Sequence, residues 1–165
     1  MSIRMISRVS AAVVTAVSAL TFSTPANAVG FYGEVRNIGT NKCLAVPNSS
    51  SANGTGLIQW TCNDNGDQQW LMEKVPGGNN DRYVIYAWPG SKCLAMPNSS
   101  TANGTQAIQW TCDPTDSDQI WIQDSWYRLR NLNSDKCLAV PNSSTANGTE
   151  VIQWTCNDNL DQRWS

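Results

Sequence analysis

Lys42-Cys43-Leu44-Ala45-Val46-Pro47-Asn48-Ser49-Ser50 runs into Ser51-Ala52-Asn53-Gly54-Thr55 and then, past Gly56 and Leu57, into Ile58-Gln59-Trp60-Thr61-Cys62. The same stretch returns almost letter for letter from Lys92 to Cys112 and again from Lys136 to Cys156. In each copy the two cysteines stand 19 positions apart. Each copy is followed by Asp-Gln-x-Trp: Asp67 to Trp70, Asp118 to Trp121 and Asp161 to Trp164. A repeat at this period decides the architecture before any single segment does.

Outside the repeats, the N-terminus has its own order. Arg4 and Arg8 precede an uncharged apolar run, Val9 to Leu20, and then Ala26-Asn27-Ala28. A basic start, a short apolar run and a small-residue site read as a secretory leader, cleaved after Ala28. Residues 1–28 are assigned to it and residues 29–165 to one domain, a length that supports a single core. No other apolar stretch approaches membrane-spanning length. Without the leader, nine basic residues face 13 acidic ones. No basic stripe with interleaved aromatics is present, which argues against nucleic acid as a partner.

All six cysteines lie in the repeats of an exported chain, so a disulfide framework is expected. Equivalent units favour one pairing within each: Cys43–Cys62, Cys93–Cys112 and Cys137–Cys156. A zinc site fits poorly, since the chain has no histidine and no C-x-x-C spacing. The loops Asn63 to Asp67 and Asn157 to Asp161 hold acids and amides but lack the full calcium spacing, so no metal and no cofactor is expected.

Strand signals recur in the same places. Gly33 to Arg36, Tyr83 to Tyr86 and Tyr127 to Arg130 lie ahead of each first cysteine, and Tyr127 to Arg130 alternates apolar and polar. Turn residues follow, as in Gly39-Thr40-Asn41, Pro89-Gly90-Ser91 and Asn133-Ser134-Asp135. Cys43 to Val46, Leu57 to Cys62 and the segment from Gln68 past Trp70 read as further short strands. Between them, Pro47 to Thr55 is all turn chemistry, ending in the hairpin pair Asn53-Gly54. The sequons at Asn48 and Asn53 and their repeats are explained by the same turn chemistry. No sustained helical period appears. The result is an all-β domain with about four strands in each of three units, near residues 29–80, 81–124 and 125–165. Pro76-Gly77-Gly78-Asn79-Asn80 makes a longer loop in the first, and the third ends so soon after Trp164 that its last strand is either closed by N-terminal residues or left short.

Three cysteine-bounded units, each ending in Gln-x-Trp, resemble the ricin B-chain-type lectin domain across the whole of residues 29–165. The resemblance implies a β-trefoil with up to three shallow sugar pockets. It implies that Trp70, Trp121 and Trp164 pack in the core. The aromatic platform for sugar falls on Trp60, Trp110 and Trp154. Asp67 with Gln68, Asp118 with Gln119 and Asp161 with Gln162 fall on the polar positions. Asn48, Asn98, Asn142, Gln59, Gln109 and Gln153 are secondary candidates. One departure stands out: the usual pocket aspartate is replaced by Ala45, Ala95 and Ala139. The usual glutamine place holds Ile58, Ile108 and Ile152 unless a one-residue bulge shifts the register.

A pyranose has an apolar face of C–H groups and a rim of hydroxyls, so a flat indole beside a carboxylate and an amide suits it. Each residue has a plainer reading too. The platform tryptophans fill core volume, the aspartates cap loops, and Gln59, Gln109 and Gln153 bond strand backbone. Histidine is absent, which removes the Ser-His-Asp and Cys-His arrangements. Paired-carboxylate glycoside cleavage needs two acids in unlike environments, whereas these acids recur in matched places. The expected protein is therefore a secreted, monomeric, non-catalytic and multivalent lectin. The alternative is a protein-binding trefoil, a protease inhibitor or surface module, with degenerate sugar sites and the divergent second unit as its partner loop.

Overall fold

The computed structural model describes residues 30–75, 81–89 and 92–165. The leader (1–28), the Pro-Gly-rich loop (76–80) and Gly90-Ser91 of the second turn lie outside the described residues. Twelve strands carry the fold: β1 (Phe31–Glu34), β2 (Cys43–Ala45), β3 (Thr55–Gly56), β4 (Ile58–Trp60), β5 (Gln69–Lys74), β6 (Arg82–Ala87), β7 (Lys92–Ala95), β8 (Ile108–Thr111), β9 (Ile120–Gln123), β10 (Leu129–Asn131), β11 (Cys137–Ala139) and β12 (Ile152–Trp154). Among the described residues the only helical segments are 3-10 turns of three residues.

Antiparallel pairing runs β1–β5–β6–β9–β10. Bridges from Arg163 to Arg128 and from Trp164 to Asn37 bring this ring round to its start. Arg36 and Ser165 also exchange backbone hydrogen bonds of 2.8 and 2.9 Å. Arg36 and Asn37 thus close the barrel against Trp164 and Ser165. Closure removes an exposed edge at that seam.

Three hairpins, β2–β4, β7–β8 and β11–β12, extend from this ring: β7 pairs with β6, β11 pairs with β10, and β2 meets it through the Arg36–Cys43 bridge. They are linked head to tail by backbone bonds: Leu57 N to Ala107 O at 2.8 Å, Ala107 N to Val151 O at 2.9 Å, and Val151 N to Leu57 O at 3.0 Å. This cycle closes on itself only with three units. The core follows the same threefold arithmetic, with Leu44, Leu94 and Leu138 packed among Trp70, Trp121 and Trp164. Each buried indole N–H donates to the carbonyl of its unit's leucine at 2.9–3.0 Å, so the polar handle is satisfied.

The Asn-Gly turns differ from the expected tight hairpin. Gly54, Gly104 and Gly148 have positive φ, but Asn53, Asn103 and Asn147 do not, and a type I′ turn needs both. The chain leaves the turn toward the neighbouring unit instead: β3 pairs with β8.

The three disulfides connect Cys43–Cys62, Cys93–Cys112 and Cys137–Cys156, as unit equivalence predicts. Replacing Cys137 and Cys156 together by serine is expected to lower the unfolding free energy by about 3 kcal/mol, the chain-entropy value for a loop of this size. Urea midpoints measure it, and an unchanged midpoint would show that barrel closure already restrains this segment.

Candidate functional site

The hairpin register decides which side chains meet. Cys43 pairs with Trp60, Leu44 with Gln59 and Ala45 with Ile58, and the other two units repeat this without an inserted residue. No bulge restores the glutamine. Side chains alternate across a strand, so Ala45, Ile58 and Trp60 share one face while Leu44 and Gln59 share the other.

In the third unit this face forms one side of a hollow of about 250 Å³, lined by Ala139, Ile152 and Trp154. Asn142, Ser143, Asn157, Asn159, Asp161 and Gln162 supply its polar lining. The second unit has the matching hollow, about 480 Å³, between Ala95, Ile108 and Trp110 on the strands and Asn98, Ser99, Asp116 and Asp118 on the loops. Each hollow thus has an apolar strand side and a polar loop side. The alanines remove the carboxylate that the resemblance places there, and the isoleucines remove the amide.

Trp60, Trp110 and Trp154 are 42%, 45% and 44% exposed, so they do not serve as core packing. Asp118 and Asp161 are buried, and each accepts a serine hydroxyl, Ser99 at 3.0 Å and Ser143 at 2.7 Å. These serines were not legible as partners, because they sit in a turn 19 and 18 positions away. Loop capping falls to other residues: Asn63, Asp113 and Asn157 accept from backbone N–H groups two residues on. Asp67 differs from its two counterparts. It is half-buried, and its Oδ1 is enclosed without a hydrogen-bond partner.

Burial pushes the Asp118 carboxyl above the usual carboxylate range, against the pull of the Ser99 hydroxyl, and Asp116 adds to the rise. A raised folded-state pKa means that ionisation costs stability as pH rises through it. Asp118→Asn is therefore expected to be more stable than the parent at neutral pH. The gap should close as pH falls below the ordinary carboxylate range. Urea midpoints across that window check the sign, and a gap that widens in acid would refute it.

Two sets of glutamines are engaged by the fold, although Gln119 and Gln162 still line the hollows. Gln68, Gln119 and Gln162 are buried, and each amide clamps the backbone on both sides of the second cysteine. Gln68, for example, accepts from Asn63 N at 3.1 Å and donates to Thr61 O at 3.0 Å. Gln59, Gln109 and Gln153 are buried as well and reach into a different unit. Gln109 Nε2 donates to Ser50 O and Ala52 O, Gln153 Nε2 to Ser100 O and Ala102 O, and Gln59 Nε2 to Ser144 O and Ala146 O. In the first set one donor and one acceptor of each amide are spent on the fold, and in the second set both N–H donors are. Asn48, Asn98 and Asn142 are exposed, each in the left-handed region at φ 51–55°.

Each platform is also walled by another unit. A Cβ on Gly54 would lie 3.7 Å from the Trp110 ring, one on Gly104 3.8 Å from Trp154, and one on Gly148 3.8 Å from Trp60. The asparagine before each glycine accepts from the threonine after that tryptophan, as Asn53 does from Thr111 N at 2.9 Å. The hollows are therefore built by the assembled trefoil and not by single repeats.

Solved structures of similar shape agree with this architecture. A designed threefold-symmetric protein, ThreeFoil, is 31% identical with a TM-score of 0.74, covering 81% of this chain and 95% of its own. An exo-β-1,3-galactanase from Clostridium thermocellum is 25% identical with a TM-score of 0.70, covering 79% of this chain and 28% of its own. The hemolytic lectin CEL-III is 28% identical with a TM-score of 0.64, covering 81% of this chain and 29% of its own. This chain thus corresponds to under a third of the latter two. The ricin-type beta-trefoil lectin domain matches residues 31–164, nearly the whole described chain, and the protein belongs to that family.

Proposed function

We propose that this protein is a secreted, monomeric and non-catalytic lectin that binds polymeric or branched glycans through Trp60, Trp110 and Trp154. The observation that carries the reading is the half-exposed indole in all three units, set beside a hollow with a carboxylate in the second and third. The indole face takes the C–H side of a pyranose, and the loop side of the hollow takes its hydroxyls. The apolar strand side, Ala139 with Ile152 or Ala95 with Ile108, favours a sugar that turns a methyl group or C–H edge toward it. A hydroxyl held there would lose water without gaining a partner. Weak single contacts repeated on one scaffold gain strength on a polymer through effective concentration. Three disulfides and the leader sequence support export. Neighbours that carry this fold as part of a longer enzyme or toxin support a binding role for it.

A glycan array with retention on insoluble polysaccharide tests the reading. Selective retention, eluted by free sugar, is expected. Failure to bind any glycan, or turnover of a chromogenic glycoside by the pure protein, would overturn it.

A further inference from the structure

We propose a fourth saccharide contact, at the junction of the first and second units, built on Trp88 and Asp67. The trefoil has three such junctions, and two are plugged by amides. Where the third unit meets the first, Asn37 Nδ2 donates to Asp161 O at 2.8 Å. Its Oδ1 accepts from Gly39 N and Thr40 N. Where the second meets the third, Asn131 Nδ2 donates to Asp118 O at 2.8 Å, and Asn133 Nδ2 donates to Ser99 O at 2.9 Å. These amides tie the Asp-Gln loop of one unit to the first turn of the next.

At the remaining junction the matching position is Ala87, six residues before Cys93 as Asn37 is before Cys43 and Asn131 before Cys137. A methyl group cannot make the tie. The next position holds Trp88 where the other units hold Ile38 and Leu132. A hollow of about 280 Å³ lies here, lined among others by Ser49, Asp67, Ala87, Trp88 and Lys92. Three further observations point to a ligand. Asp67 Oδ1 is a buried acceptor without a donor, while the equivalent Asp118 and Asp161 each hold a serine hydroxyl. Asp67 as a whole is half-buried and lines the hollow, so its carboxylate is not capped by a serine hydroxyl as its counterparts are and can accept from a ligand on its open side. Trp88 is 48% exposed, and Tyr32 braces it edge-on with ring centroids 5.1 Å apart. The Lys92 ammonium is committed to Asn53 Oδ1 at 2.7 Å and Thr111 Oγ1 at 3.0 Å, and makes no ion pair with Asp67.

An indole face beside an unpaired carboxylate oxygen suits a neutral pyranose. The ring's C–H face lies on Trp88 and one hydroxyl donates to Asp67. A uronic acid would bring like charge to the same oxygen and is excluded. The ligand class is that of the proposed function, but the residues are different, so the two fail separately.

The test is an NMR titration of the W60A/W110A/W154A protein with methyl glycosides of neutral hexoses and N-acetylhexosamines, and with galacturonate. The Trp88 indole N–H is assigned by its loss in W88A. A saturable shift of that signal with a neutral glycoside, none with galacturonate, and at least tenfold weaker binding after Asp67→Ala are expected. If the triple variant is poorly folded, W88A in the otherwise native chain serves instead, and its binding stoichiometry should fall by one. A native chain that binds glycans while Trp88 stays silent overturns the junction contact and leaves the proposed function standing. A shift that Asp67→Ala leaves unchanged overturns it too, and binding of no glycan by the native chain overturns both.

Discussion

Replacing Trp60, Trp110 and Trp154 together by alanine is expected to lower retention on a polymeric glycan by at least about a hundredfold, the scale of avidity that linked weak sites supply. The fold should survive. These indoles are 42–45% exposed, and none belongs to the buried cluster of Leu44, Leu94, Leu138 and their neighbours. Each single variant should lose far less than the triple, because the other two sites still hold the polymer. The measurement is a polysaccharide pull-down beside a thermal melt. Retention within tenfold of the parent, in a triple variant that melts normally, would remove the indole platform from the account. A contact at Trp88 could not sustain such retention, since a single site has no linkage to draw on.

Trp121→Ala is expected to have the opposite profile, a loss of about 3–5 kcal/mol of stability from a truncated core indole. Trp121 is fully buried, and its N–H donates to Leu94 O at 2.9 Å. Truncation leaves both a cavity and a buried carbonyl without its donor. That is a large share of a typical domain's stability of about 5–15 kcal/mol. Denaturant midpoints read it directly, and sugar binding by the remaining folded fraction should be unaltered per molecule. A midpoint shift near that of a surface substitution would mean that this indole is not the core pillar its burial implies.

These two experiments concern one residue type in one repeat, and the sequence already separates the two classes. Tryptophan two positions before the second cysteine is exposed and tryptophan in Asp-Gln-x-Trp is buried, in all three units. The cysteine pairing was also legible, because equivalent units need equivalent bridges. Strand boundaries were less so. Tyr127 was assigned to a strand, yet it lies at φ 63° and exposed, and pairing begins with the bridge at Arg128. The asparagine-glycine turns were assigned to a local hairpin, yet they deliver the chain to a neighbouring unit. A turn dipeptide specifies backbone angles and does not specify which strand lies beyond it.

The exposed indoles and the carboxylates beside the hollows were legible, whereas the contacts of the glutamines were not. Gln59, Gln109 and Gln153 differ from a ligand-facing position by one residue of register, and one residue turns a side chain to the opposite face of a strand. Their partners, Ser144 and Ala146 for Gln59, lie 85 and 87 positions away.

The sequence by itself determined the threefold repeat, the bridges within each unit, the all-β class and the residue types available for recognition. These are matters of spacing and composition, written three times along the chain. Only the tertiary structure decided which face each side chain takes, that every platform is walled by a different unit, and that one junction stays open where Ala87 stands for asparagine. Those outcomes depend on register and on groups tens of residues apart, which meet only when the barrel closes.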